Sequence, residues 1–170
     1  IRFGLVYPIG ETATMTLARS VGQCSAKANL QVALLRAAQI PARYHVVAVD
    51  RTSLRGLVPG PLYRLFTPSL WHPWAECYLD GQWIGCDTLI DRPLYMSAIR
   101  QRIINSSLMP TIDWDGTEEL LLLKPWILEE VTVTSSLEEA LAQMPKAMIP
   151  PPLVAKYAFA YSNRYTEKLR

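Results

Sequence analysis

The rhythm of hydrophobic and polar positions changes several times along the chain. From Cys24 to Gln39 the residues are mostly Ala, Leu and Val, with no Gly or Pro. Ala28, Leu30, Val32, Leu34, Leu35 and Ala38 fall on more than one face of a 3.6-residue period. This predicts a helix over 24–39, buried nearly all round at the centre of the domain. Pro41 closes it, because a proline steers the preceding residue away from helical geometry. Residues 43–49, rich in Val and Tyr, predict a strand. Two further strand-like runs, 72–79 and 82–88, flank Asp80-Gly81, the strongest short hairpin signal in the chain. Residues 10–18 read as a loop with a short helical turn, and 51–69 as an irregular insertion punctuated by Gly56, Pro59, Gly60, Pro61 and Pro68. Residues 93–105 predict a helix capped by Asp91. Ser136 with Glu139 is a capping box opening a short helix to about residue 144. Val154, Tyr157, Ala158, Tyr161 and Tyr165 recur at helical spacing, which predicts an amphipathic terminal helix docked onto the domain, with membrane or partner contact as the alternative.

A chain of 170 residues is long enough for one domain with its own core. No repeat, low-complexity tract or linker divides residues 1–170, so a single domain is expected. Lys plus Arg exceed Asp plus Glu by 17 − 15 = +2, too small a balance to argue for nucleic-acid binding. No stretch approaches the ~20 apolar residues of a transmembrane helix; the richest, 120–128, is broken by Lys124 and Pro125. Three cysteines with no close pair argue against a disulfide framework and for a reducing compartment, so a cytoplasmic location is expected. The chain opens with Ile1 instead of Met, which reads as a trimmed or processed product.

Candidate chemistry centres on Cys24. A nucleophilic cysteine needs a thiolate, a base and something to orient the base. Cys24 follows Gly22-Gln23 at the first turn of the predicted central helix, where unpaired N–H groups and the helix dipole favour a thiolate and can stabilise an oxyanion. The hairpin supplies the partners. With Asp80-Gly81 as a two-residue turn, paired residue numbers sum to 161, Trp74 faces Asp87, and His72 and Asp87 become diagonal neighbours on one sheet face, with Cα atoms about 7–8 Å apart. A carboxylate there fixes one imidazole nitrogen and leaves the other for a thiol. A one-residue slip would separate the two, so the register matters.

Three blocks carry a family resemblance: Gly22-Gln23-Cys24-Ser25-Ala26-Lys27-Ala28; the run from Leu34 through Ile40-Pro41-Ala42-Arg43-Tyr44; and His72-Pro73-Trp74-Ala75-Glu76-Cys77-Tyr78-Leu79-Asp80-Gly81-Gln82-Trp83-Ile84-Gly85-Cys86-Asp87. In this order they resemble the bacterial transglutaminase-like superfamily over roughly residues 1–92. The resemblance implies a papain-like α+β fold in which a central helix carrying the cysteine packs on an antiparallel sheet carrying the histidine and aspartate, with a core over about residues 1–92 and a C-terminal extension over 93–170 packed on it. It also implies Cys24 as nucleophile, His72 as base and acid, and Asp87 as orienter. Two departures stand out. Pro73 replaces the usual small or polar residue between histidine and tryptophan, which calls for a sheet edge or an unpaired ladder site there, and Thr88 stands where a proline is familiar.

The function expected is thiol-dependent acyl transfer on an amide or thioester carbonyl through a Cys24 thioester, ending in amide formation or hydrolysis. Neither a metal nor an organic cofactor is required. Expected substrates are peptides, amides or carrier-bound acyl groups. Gln23 is a candidate oxyanion donor. Trp74 and Trp83, on the His72 face by register, are candidates to wall the cleft, and Arg55 and Arg64, in the insertion, to bind substrate. Arg51 shares that insertion, which reads either as a substrate-selecting lid or as a solvated loop. His45 reads as packing or surface, and Cys77 and Cys86 as small core residues on the opposite face. The rival reading is a non-catalytic transglutaminase-like module that binds a peptide or protein. A third is a subunit completed by oligomerisation or a partner.

Overall fold

The computed structural model describes all 170 residues. The chain opens with β1 (Arg2–Phe3), α1 (Ala13–Arg19), β2 (Val21–Gly22) and α2 (Cys24–Ala37), and β1 pairs in parallel with β2. That pairing brings the N-terminal segment alongside the start of α2. Gly22 makes the approach feasible, since a Cβ on it would lie 2.9 Å from the Ala26 Cβ.

The main sheet follows: β3 (Ala42–Asp50), then the one-turn helix α3 (Gly60–Tyr63) within the insertion, β4 (Ser69–Leu79) and β5 (Gln82–Cys86). After α4 (Arg92–Arg100) comes β6 (Ile127–Thr134), so the antiparallel order is β5-β4-β3-β6. Helices α5 (Leu137–Ala142) and α6 (Pro152–Leu169) complete the chain. No helix is long and apolar enough to cross a membrane. All three cysteines are free.

The hairpin forms as expected. Leu79 pairs with Gln82 and Ala75 with Cys86, and Asp80 and Gly81 both take positive φ, 48° and 86°, as a type I′ turn requires. Asp91 and Ser136 cap their helices by accepting from the N–H groups of Leu94 and Glu139. Alternate strand residues then feed two apolar layers. Val47, Val49, Leu70 and Trp74 pack with Leu94, Tyr95 and Ala98 of α4. Val46, Ala75, Cys77 and Cys86 pack with Ala28 and Val32 of α2, which puts both core cysteines on the face opposite His72.

The fourth strand, β6, is an addition to the three strands expected from the sequence. Residues beyond 92 therefore contribute a strand to the main sheet itself. α2 is also less buried than expected. Its first half is enclosed, but Leu34 is 56% exposed. The helix ends two residues early, with Gln39 left-handed at φ 63° and the Ile40 N–H closing on the Leu35 carbonyl. Likewise α4 stops at Arg100 instead of 105, and Arg102 turns left-handed. α6 docks only partly by its apolar stripe, of which Ala158 and Tyr165 are half-buried, Tyr165 packing on the core and donating its hydroxyl to the Gly56 carbonyl at 3.1 Å. Ala155, Ser162, Thr166 and Leu169 are buried, while Val154, Tyr157 and Tyr161 are exposed. The small side chains let α6 lie close to the N-terminal segment, where Asn163 takes the Leu5 N–H on its Oδ1 (2.8 Å) and donates back to the Leu5 carbonyl (2.9 Å).

Candidate active site

Cys24 is the first residue of α2. Its preceding residue, Gln23, is extended and gives the helix no side-chain cap. The first-turn N–H of Cys24 consequently has no acceptor within the protein. His72 comes from β4 at the register position opposite Val47, and the ring is almost wholly enclosed. The β4–β5 ladder stops at Ala75–Cys86. Asp87 leaves it, and its N–H turns to the Leu120 carbonyl at 2.8 Å while Leu120 bonds back to Gly85 at 2.9 Å. The connection from α4 to β6 thus braces the strand end that presents Asp87.

His72 Nε2 meets Asp87 Oδ2 at 2.9 Å. The other carboxylate oxygen accepts the Leu89 N–H at 2.9 Å, which sets the carboxylate plane. Nδ1 remains as the nitrogen available to a thiol. Burial alone would push the imidazole pKa down. The Asp87 charge and hydrogen bond, followed by the nearby Cys24 thiol, outweigh it and raise the pKa to about 10. Cys24 comes close enough to contribute, although no S–H···N hydrogen bond of standard geometry joins the pair, as is common in a resting site. Cys24 and His72 line one cavity of about 220 Å³. The structure therefore brings the three expected residues together. Pro73 fits as well: β5 ends opposite Ala75, so β4 has an open edge beside the proline.

The other expected site residues lie elsewhere or are otherwise engaged. Gln23 lines the cavity, but its amide donates to the Val6 carbonyl (3.3 Å) and Ser25 Oγ (3.4 Å) and accepts the Val6 N–H (2.8 Å). It clamps the N-terminal segment and keeps no N–H for an oxyanion. Trp74 does share the His72 face, yet it is buried behind the histidine, stacked on His45 at 4.5 Å, and forms no part of the cavity wall. Trp83 pairs with Tyr78, six residues along β4 from His72, or about 20 Å at strand rise. A common face does not mean a common site. Trp83 instead lies under the Arg43 guanidinium at 4.0 Å. Arg55 and Arg64 are exposed and absent from the wall, and Arg55 lies over Tyr63. The insertion does contribute to the cavity, but through apolar residues such as Leu54, Leu62 and Phe66. His45 is tied to Glu76 at 2.5 Å and to Glu130, a polar cluster away from the cavity.

Lys27 was not singled out from the sequence. Buried one turn after Cys24, it donates to the Leu89 carbonyl at 2.9 Å. Desolvation lowers its pKa to about 8, against the upward pull of Asp91 and Asp87. Lys27 and His72 give stability opposite pH dependences. The His72 contribution is complete below pH 6.5 and is lost as pH rises through 10. The Lys27 burial penalty is complete below pH 8 and is relieved on the way to 10.5. Stability is therefore expected to fall by about 2 kcal/mol between pH 6.5 and 8 at ~1.4 kcal/mol per unit, then to level off. His45, whose pKa is also raised after burial is outweighed by Glu76 and Glu130, acts in the same direction as His72. Thermal melts of wild type and Asp87→Asn test this, since losing the carboxylate removes the main support of the His72 pKa and also part of the pull on Lys27, both of which flatten the fall. A slope unchanged in Asp87→Asn would contradict the assignment.

A thiol at a helix start, an imidazole with one nitrogen held by a carboxylate, and a sheet carrying both partners define a papain-like α+β site. The comparisons name the family. Residues 5–88 match the model of the transglutaminase-like superfamily, and the chain carries a transglutaminase-like domain. In general terms, the chemistry of this class is thiol-dependent acyl transfer or hydrolysis. A crystal structure from Cytophaga hutchinsonii, provisionally described as a cysteine protease, aligns at 26% identity over 56% of this chain and 28% of its own; its TM-score of 0.37 is too low to relate the architectures. The chain thus spans less than a third of that protein. No curated protein matches the sequence.

Proposed function

We propose that the protein transfers acyl groups from an amide or thioester through a covalent thioester on Cys24. The observation that carries the proposal is the His72–Asp87 hydrogen bond of 2.9 Å, buried at the wall of the cavity that Cys24 also lines.

The Cys24 thiolate attacks the carbonyl carbon, and the oxygen takes up the displaced electron pair beside the unpaired Cys24 N–H. The imidazolium, held by Asp87, gives its Nδ1 proton to the leaving amine or thiol as the carbonyl reforms, leaving a thioester on Cys24. The raised pKa of His72 keeps that proton available at neutral pH. Acylation removes the sulfur's charge, and with it one of the influences that raise the imidazole pKa, so the ring is a readier base in the second half. His72 then takes a proton from water or an amine, which attacks the thioester and releases the thiolate.

Intact-mass measurement tests this. Incubation with a panel of amides and thioesters is expected to add the acyl mass to the protein, and peptide mapping to place it on Cys24. An adduct absent under every donor, or located on Cys77 or Cys86, would favour a binding module without catalysis.

A further inference from the structure

The cavity beside Cys24 has a wall of one character. Of its 25 lining residues 19 are hydrophobic, and apart from Cys24 and His72 none is ionisable. Around the start of α2 and the sheet residues Val49, Leu70 and Trp71, three further regions complete the wall: the N-terminal segment (Phe3, Leu5), the insertion (Leu62, Phe66) and residues 144–159, through Met148, Ala158 and Phe159. Three parts of the chain converge to make an apolar chamber at the reacting pair.

The polar wall atoms limit what can enter. The Gln23 amide is engaged with Val6 and Ser25, and Thr67 Oγ1 donates to the Ser69 carbonyl at 2.6 Å. Among fully buried side-chain atoms of lining residues, Ser53 Oγ and Trp71 Nε1 have no partner, and the Cys24 N–H is open at the reacting centre. A peptide strand brings one N–H and one C=O per residue, and a wall with 19 hydrophobic residues of 25 offers few partners for them. A hydrocarbon brings no such demand. At about 30 Å³ per water-sized group, 220 Å³ holds about seven methylenes.

On the reading that Cys24 is acylated, we propose that this chamber selects the acyl group, and that the preferred donor carries an unbranched aliphatic chain of about eight to ten carbons. Specificity then lies with the acyl chain, and the leaving amine or thiol remains outside the chamber.

The test uses thioesters of N-acetylcysteamine from acetyl to hexadecanoyl, together with short apolar peptide thioesters. With about a fourfold gain per buried methylene, kcat/KM for Cys24 acylation is expected to rise at least a hundredfold from acetyl to octanoyl and to stop rising beyond decanoyl. Ala158→Phe, at a half-buried helix position on the wall, is expected to shift the optimum to a shorter chain. A flat profile, a preference for acetyl, or faster reaction of the peptide thioesters would overturn the proposal while leaving Cys24 acylation intact. If no donor acylates Cys24, the catalytic reading fails instead, and calorimetry of decanamide with Cys24→Ser decides this one: saturable binding weakened by Ala158→Phe supports the acyl chamber, and no binding refutes it.

Discussion

Replacing His72 with alanine is expected to lower kcat/KM for thioester turnover on the order of 10⁴-fold, about 5.5 kcal/mol of transition-state stabilisation. The loss has two parts. The leaving group no longer receives a proton, and the acceptor in the second half has no base. The variant also leaves the Asp87 carboxylate buried without its 2.9 Å partner, so weakened folding could account for part of the loss. Asp87→Asn separates the effects. It preserves shape and the Leu89 contact while removing the charge that raises the His72 pKa, and it is expected to cost 10²–10⁴-fold by an order-of-magnitude analogy with other orienting carboxylates. Circular dichroism at the assay temperature verifies that both variants are folded. Turnover within tenfold of wild type in folded His72→Ala would remove the histidine from the chemistry.

How much of this site was readable beforehand depended on range. The His72–Asp87 relation is local in sequence, set by a two-residue turn whose positive φ angles Asp80 and Gly81 readily adopt, and the hairpin register follows from it. The start of α2, the Asp91 cap and the Ser136 cap are equally local. What escaped is non-local. β6 is an exposed edge strand with register shifts opposite Val46/Val47 and Ala48/Val49, so no clean alternation marks it. The brace from Leu120 onto Asp87 joins positions more than thirty residues apart through backbone atoms, which no side-chain pattern encodes. In α6, periodicity gave the helix and, through Ala158 and Tyr165, only part of its inward face. Val154, Tyr157 and Tyr161 had the apolar area, whereas Ala155, Ser162 and Thr166 had the small size that close docking against Leu5 requires. The same limit applies to the chamber: each of its three wall segments is unremarkable alone, and its apolar character emerges only where they meet.

Asp91→Ala is expected to produce the largest loss of stability, on the order of 3–5 kcal/mol, or about 6–20 °C in Tm for a chain of this size. One carboxylate here serves three elements. Oδ2 accepts the Phe3 N–H at 2.7 Å and Arg170 Nη2 at 2.8 Å, while Oδ1 accepts Arg170 Nε at 3.1 Å and the Leu94 N–H at 3.2 Å. Arg170 Nη2 also reaches the Phe3 carbonyl at 2.8 Å, closing a ring of contacts between β1, the cap of α4 and the end of α6. Burial would raise the Asp91 pKa, but Arg170 and the Phe3 and Leu94 N–H groups hold it below the ordinary aspartate value. This contribution is therefore present above about pH 4 and is lost as pH falls. Removing the carboxylate takes the buried counter-charge from a mostly buried guanidinium, leaving it only the half-exposed Glu167 and the Phe3 carbonyl, releases two N–H groups and takes from Lys27 one of the charges that offset its burial. Asp91→Asn retains acceptors for Phe3 or Leu94 and should fall between wild type and alanine. Because Phe3 lines the chamber, the variants should also lose long-chain acylation at temperatures where the core is still folded, ahead of the global melt. An Asp91→Ala protein melting within 2 °C of wild type would show that β1 and α6 do not depend on this carboxylate.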